Sequence, residues 1–346
     1  MRAVGVASSH APEIEVCARV RRATTKRHKV TVVGLGAMGR RHARVLRELG
    51  DRYELVGGFD VRPDTLAPDG LELVRSEAEA IARSDLLVVA TPIEAHVHIV
   101  ASALAAGRHV LVEKPLCATA ADANALVAGS RSGGRLFVGH SERFNPVVRA
   151  LARLLRSEDV VAIDLRRVGP TRQVAFGVLI NLGVHDLDLV GFLGGGGVIL
   201  RGAAGGALPG GTGGEDYAHV LVTTASGSVG HLFVDRTAPT KQRTIRVTTR
   251  RWRYEGDLLM HRLVRTGGST AARADVPLPL EEPLVAQAVA LADALDGSGG
   301  REIATGLDGA CAVALAERAA ADCAPSSSTT PSAHPGGLSE LLGAPG

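Results

Sequence analysis

Val30-Thr31-Val32-Val33-Gly34-Leu35-Gly36-Ala37-Met38-Gly39-Arg40 decides the fold of this chain. An apolar run, a glycine turn and the start of an amphipathic stretch follow one another without interruption. Read as strand, turn and helix, they bring free backbone N–H groups and the positive end of a helix dipole to one point, where a pyrophosphate fits. Gly34 makes the tight turn, Gly36 lets backbone approach the phosphates, and Gly39 lets helix and strand pack closely; Leu35, Ala37 and Met38 complete the loop. In a chain with 42 glycines such spacing arises by chance, so the next segment carries weight. Tyr53–Phe59 reads as a second strand ending at Asp60, 21 residues after Gly39. A carboxylate there accepts hydrogen bonds from the adenosine ribose and repels a 2′-phosphate, which favours NAD over NADP. Arg62, two residues on, softens that preference.

Outward from this unit the alternation continues. Apolar runs over 86–90, 109–112 and 136–138 read as strands. Helices are expected over 76–83, 95–106 and 118–130, with Ser76 and Thr119 as N-caps and Gly107 as a stop. This is an α/β pattern, a doubly wound parallel sheet of the Rossmann type over residues 28–146. From 147 to 324 the pattern changes to α+β. A helix over 147–155 and a strand over 160–168 precede an apolar helix over 175–193. The glycine-rich stretch 194–214 reads as a mobile loop. Strand signals over 217–224, 228–234, 241–249 and 251–254 then predict a largely antiparallel sheet, and helices over 284–295 and 307–321 close the domain.

Composition narrows the partners. The chain has 346 residues and 35.8 kDa, enough for two domains with cores of their own. A net charge of +3 argues against nucleic acid or a membrane surface as partner, and 3% aromatics argue against base-stacking platforms. Cys17, Cys117, Cys311 and Cys323 have neither metal-ligand spacing nor the look of a disulfide framework, so no metal site is expected and a cytoplasmic setting with reduced thiols fits. No apolar stretch reaches spanning length. Residues 1–27 lack the apolar core of a signal peptide, since Glu13, Glu15 and Arg19 interrupt it, and read as a loose extension. Residues 325–346, with a Ser-Ser-Ser-Thr-Thr-Pro run, read as a disordered tail.

Two short segments carry chemistry. Glu113-Lys114-Pro115 directly follows a strand, at the carboxyl edge of the sheet where ligands bind in open α/β folds. A lysine there can polarise a substrate oxygen, and Pro115 fixes the backbone after it, with a cis bond as one option. Taken by type alone, Lys114 equally fits a solvated loop. Asn181-Leu182-Gly183-Val184-His185-Asp186-Leu187-Asp188 puts Asn181 and His185 four apart on one helix face, with Asp188 three beyond the histidine. A histidine beside a carboxylate suits acid–base work near neutral pH, but a core histidine capped by Asp188 has the same spacing.

In order and spacing, Gly34–Gly39, Asp60, Ala90-Thr91-Pro92 with His96, Glu113-Lys114-Pro115 and Gly183-Val184-His185-Asp186-Leu187-Asp188 resemble the glucose–fructose oxidoreductase / inositol dehydrogenase / MocA family, from residue 28 to about 322. The resemblance implies NAD(P)-dependent interconversion of a secondary alcohol and a ketone on a sugar or cyclitol. It implies Lys114 near the nicotinamide and the reacting oxygen, His185 as general base, and Thr91, Pro92, His96 and Glu113 beside the cofactor. It also implies a homodimer or homotetramer formed through the C-terminal sheet. One residue departs: many members carry Asp where Asn181 stands, and an amide cannot stabilise an imidazolium by charge. Either Asp188 or Asp186 would then supply that charge, or His185 is a weaker base.

Finer stretches, Val138–Pro146, Arg167-Val168-Gly169-Pro170 and Gly177–Asn181, look like the branch containing UDP-N-acetylglucosamine 3-dehydrogenases. That likeness implies oxidation at C3 of a nucleotide-linked or aminoglycoside-type sugar, in amino-sugar or antibiotic biosynthesis. Arg143, Asn145, Arg166 and Arg172 would meet sugar hydroxyls and phosphates, with Asn181 and Asp188 beside them. Two other readings stand: a myo- or scyllo-inositol or free-sugar dehydrogenase, and an NAD-binding protein without turnover.

Overall fold

Valine- and leucine-rich runs bounded by polar caps and glycine turns build the first half of the chain. The computed structural model describes residues 27–323, apart from 63, 69, 132, 171–175, 210–213 and 268–271. In it β1 (His28–Val33), α1 (Ala37–Glu48), β2 (Tyr53–Phe59), α2 (Glu77–Arg83), β3 (Leu86–Val89), α3 (Ile93–Ala105), β4 (His109–Glu113), α4 (Ala120–Gly129) and β5 (Leu136–Gly139) alternate. Both expected caps are formed: Ser76 Oγ accepts from the Glu79 N–H and Thr119 Oγ1 from the Asp122 N–H, each at 3.1 Å. The five strands are parallel in the order β2-β1-β3-β4-β5. β3 and β5 are buried along their whole length, as a sheet covered on both faces requires. Strand order reverses between β1 and β3, and the crevice at their carboxyl ends is the natural ligand position of such a sheet.

The second half follows as α5 (Pro146–Leu154), β6 (Val160–Val168), α6 (Val184–Gly194), β7 (Ile199–Gly206), β8 (Tyr217–Thr223), β9 (Val229–Asp235), β10 (Gln242–Thr249), β11 (Trp252–Asp257), β12 (Arg262–Gly267) and β13 (Ala272–Asp275). Its sheet runs β13-β12-β11-β10-β6-β9-β8-β7, antiparallel except for the β6–β9 pair. Period-two alternation sends Ala218, Val220 and Val222 of β8 inward, and leaves Tyr217, His219 and Leu221 on an open face. The chain ends with α7 (Pro283–Leu295), β14 (Ala304–Thr305) and α8 (Gly306–Cys323). β14 adds an antiparallel edge to β5, and α8 packs on α4 and on both α6 and β7, so these last elements join the two sheets.

Three expectations change. The glycine-rich stretch 194–214 is not one loop: β7 occupies 199–206 and pairs with β8. Glycine is used there for close approach, since a Cβ at Gly205 would lie 2.3 Å from the Tyr217 carbonyl oxygen. The helix expected over 175–193 instead begins with a π-helical turn, Leu179–Gly183, and continues as α6 to Gly194, where Gly195 at φ +88° ends it. β12 and β13 lie beyond the expected strands. The proposed extension 1–27, apart from Arg27, and the tail 325–346 lie outside the described residues. Among the described residues no helix is long and apolar enough to cross a membrane, and no cluster of three His, Cys, Asp or Glu side chains is placed to hold a metal ion.

Candidate active site

The glycine turn sits in the crevice between β1 and β3. Gly34 has φ +88°, and a Cβ there would lie 2.7 Å from the Ala90 carbonyl carbon and 2.8 Å from the Thr91 nitrogen. A Cβ at Gly39 would lie 1.8 Å from the Gly34 oxygen, so helix and turn touch directly. At Gly36, by contrast, a Cβ would meet nothing within 4 Å. Gly36 is also the N-cap of α1 and makes no side-chain cap, which leaves the first N–H groups of the helix to a ligand. Open space at Gly36 beside tight contacts at Gly34 and Gly39 fits the pyrophosphate of a dinucleotide.

Asp60 stands at the end of β2. Its Oδ2 accepts from the Leu35 N–H at 2.8 Å, which ties it to the glycine turn. The Arg62 side chain lies across the same carboxylate, with Nε 3.0 Å from Oδ1 and Nη2 3.1 Å from Oδ2. This contact and the backbone hydrogen bonds hold the Asp60 carboxyl far below its ordinary pKa, so it is an anion throughout the working range. Thr91 ends the loop after β3, and its buried Oγ1 has no hydrogen-bond partner, a free polar atom next to Gly34. Pro92 is the N-cap of α3. His96 is buried, with Nε2 3.0 Å from the Thr91 carbonyl and Nδ1 3.0 Å from that of Pro115. It ties the Thr91 loop to the lysine loop rather than facing the crevice itself.

Glu113 closes β4, its Oε1 2.7 Å from His42 Nε2 on α1, and its Oε2 accepts from the Lys114 N–H at 3.3 Å. The Lys114–Pro115 bond is cis. Lys114 Nζ donates to the backbone carbonyl of Asn181 in the π-helical turn at 3.0 Å. Burial pushes the Lys114 ammonium down to about 8, against the raising effect of Glu113. His185 opens α6 and is buried; burial, then the positive charges of Lys114 and Arg167, hold it well below its ordinary value, so it is neutral at pH 7. Its Nδ1 has no hydrogen-bond partner among the described residues. His140, at the end of β5, packs edge-on against it with ring centroids 6.2 Å apart. The side-chain amide of Asn181 is half-buried and makes no hydrogen bond among the described residues.

Neither nearby aspartate meets His185. Asp188 is held by Arg143, with Nε–Oδ2 2.8 Å and Nη2–Oδ1 2.6 Å, and Asp186 by Arg167, with Nε and Nη2 at 2.9 and 2.8 Å from Oδ1. Arg167 Nη1 and Arg243 Nη1 both donate to Glu142 Oε1, at 3.1 and 2.9 Å. The expected supply of negative charge to the imidazole is therefore taken up by arginines.

The other expected sugar contacts divide. Arg143 is buried on Asp188. Asn145 is buried too, and caps α5: its Oδ1 accepts from the Val147 N–H, and its Nδ2 donates to the Leu258 carbonyl at 3.0 Å. Arg166 lies on the open face of the second sheet, its guanidinium 4.7 Å from the Phe233 ring centroid. Strand alternation makes its neighbour Arg167 the inward arginine, and that parity is legible in the run Ile163, Leu165, Arg167. Arg172 lies outside the described residues. His140 and Glu142 stand in the quoted stretch Val138–Pro146 without a role assigned from sequence, and Arg243, on β10, carries no motif that marks it.

The comparisons agree with this geometry. Residues 28–140 match the model of an oxidoreductase family with an NAD-binding Rossmann fold, and residues 162–255 match the GFO/IDH/MocA C-terminal domain. The chain is 28% identical over 226 residues to UDP-N-acetylglucosamine 3-dehydrogenase of Acidithiobacillus ferrooxidans, covering 62% of this chain and 69% of that protein. It spans only 51% and 59% of the length of two other curated relatives. Among solved structures, GenD2 from gentamicin A biosynthesis, in complex with NAD, superposes with TM-score 0.72 at 25% identity, over 92% of this chain and 98% of that one. The A. ferrooxidans enzyme superposes with TM-score 0.78 at 24% identity, over 86% and 98%, a likeness of fold. With both of its halves matched in one chain, this protein belongs to the GFO/IDH/MocA family of oxidoreductases.

Proposed function

We propose that the protein is an NAD-dependent dehydrogenase that oxidises a secondary hydroxyl of a sugar to a ketone. The observation that carries this reading is the pairing of a half-buried, proton-bearing Lys114 with a neutral, buried His185 across Asn181. His185 takes the hydroxyl proton at its imidazole. Lys114 donates a hydrogen bond to the same oxygen and stabilises the charge that develops there. Asn181 turns its free amide to a neighbouring hydroxyl. NAD⁺, when bound, accepts the hydride from the carbinol carbon. Gly34, Gly36 and Gly39 would hold its pyrophosphate, Asp60 its adenosine ribose, and Thr91 its nicotinamide end.

The names of the UDP-N-acetylglucosamine 3-dehydrogenase and of GenD2 support a nucleotide-linked or aminoglycoside-type sugar as substrate, oxidised at C3. The open sheet face, with Leu221 and Val229 exposed on it, suits pairing with a second copy of the chain. The test is absorbance of reduced nicotinamide with NAD⁺ and a panel of UDP-sugars, aminoglycoside-type sugars, inositols and free hexoses. Reduction with inositols or free hexoses alone would replace the substrate class. No reduction with any class, despite measured NAD binding, would count against the dehydrogenase reading.

A further inference from the structure

Beyond the catalytic histidine, α5 turns a run of arginines toward the far end of α6. Arg149 and Arg153, four apart, share one face of α5, and Arg156 follows in the 3-10 turn Leu155–Ser157 that ends it. With Arg143 and Arg301 they line a cavity of about 310 Å³ that includes a single carboxylate, Glu302. Two of the five are already neutralised: Arg143 by Asp188, and Arg149 by Glu281. Arg153, Arg156 and Arg301 are exposed and have no ion pair or hydrogen bond among the described residues. Asp308 also lies 3.4 Å from Arg143 Nη2, so the cavity keeps a net positive charge that sits on the three unpaired guanidiniums.

Like charges at helical spacing repel one another, and among the described residues Glu281 offsets Arg149 while no ion pair offsets Arg153 or Arg156. Arg143 adds a fixed floor. Its Nε and Nη2 are held on Asp188, its guanidinium lies 4.9 Å from the Phe192 ring centroid, and Nη1 reaches only the Glu302 carbonyl, at 3.5 Å. Phe192 lies seven residues beyond His185 on the same helix, about 10 Å along the axis, so the cavity is separate from the catalytic groups.

We propose that this cavity is a second binding site, for a dianionic phosphate monoester or phosphate itself. The planar fork of a guanidinium matches phosphate oxygens in pairs, and three unpaired guanidiniums converge on the cavity. A ligand there would sit on Arg153, Arg156 and Arg301, over Arg143.

Isothermal titration of inorganic phosphate into the full chain tests this, at constant ionic strength and with saturating NAD⁺ so that the glycine turn is filled. Saturable binding is expected, weakened at least tenfold in R153A/R156A and in R301A, with NAD affinity unchanged in both. All three side chains are exposed, and R301K, which keeps the charge but not the fork, should fall between. Titration with a hexose monophosphate and a nucleoside monophosphate then distinguishes the sources, the tighter binder being the one the site takes. No saturation in the millimolar range overturns the proposal. So does equal binding by the variants, or full competition by chloride at matched ionic strength.

Discussion

Lys114 Nζ lies 3.0 Å from the backbone oxygen of Asn181, a hydrogen bond that joins the edge of the Rossmann sheet to the π-helical turn before His185. Two elements 67 residues apart in sequence thereby meet at one half-buried contact. Its consequences for proton transfer are measurable.

At pH 7 the ammonium of Lys114 is charged and the imidazole of His185 neutral, because burial lowers both and their starting values differ. Turnover should therefore fall on the alkaline side with a midpoint near about 8, where Lys114 loses its proton. Lys114→Arg should remove that limb, since a guanidinium does not titrate there. His185→Ala should lower kcat by about 10²–10⁴-fold while NAD titrations stay unchanged. An alkaline limb that persists in Lys114→Arg would take Lys114 out of the reaction.

Asn181→Asp would place a carboxylate next to these two groups. An opposite charge favours the protonated form of each, so both limbs of the pH–rate profile should move to higher pH. An unshifted profile would mean that the side chain at 181 does not face them.

The glycines separate packing from binding. Gly36→Ala has room for its Cβ and an extended backbone with a negative φ of −68°, so the protein should fold with an unchanged melting temperature yet bind NAD at least about tenfold more weakly, a loss of 1.4 kcal/mol. Gly39→Ala should instead lower the melting temperature, since its Cβ would overlap the Gly34 oxygen. Equal effects of the two on stability would argue against a ligand at Gly36.

Arg62 covers the carboxylate that would hold the ribose, so it bears on the choice between NAD and NADP. Asp60→Ala should weaken NAD and narrow its advantage over NADP. Arg62→Ala should do the opposite, exposing the full negative charge of Asp60 to a 2′-phosphate. Fluorescence titration of both variants with both dinucleotides checks the signs.

Asp188→Asn removes the nearer of the two carboxylates on the buried Arg143 and leaves only Asp308, so urea unfolding should show a loss of stability below the about 3–5 kcal/mol of a fully unpaired buried charge. Arg166→Ala, on the open face, should leave the KM for substrate unchanged. A raised KM there would return Arg166 to the site.

Much of the first half was legible because local signals agreed with the fold. The glycine turn, the Ser76 and Thr119 caps and the leucine–valine runs each specify their own conformation over a few residues, so strands β1 to β5 fall where periodicity puts them. The second half was less so. β7 is rich in alanine and glycine and becomes a strand only because β8 approaches its backbone at Gly205, a contact that no local pattern announces.

The sequence by itself determined where the candidate site residues stand. Lys114 and His185 stand in short motifs whose spacing is fixed by a strand end and a helix start. What each charged side chain faces was decided by tertiary structure alone. Arg143 and Asp188 belong to elements 45 residues apart and meet inside a buried pair, Asp186 goes to Arg167, and the Arg166–Arg167 doublet is split by strand parity. A buried charge must find its partner wherever the fold brings one, and that partner is set by packing across the two sheets rather than by proximity along the chain.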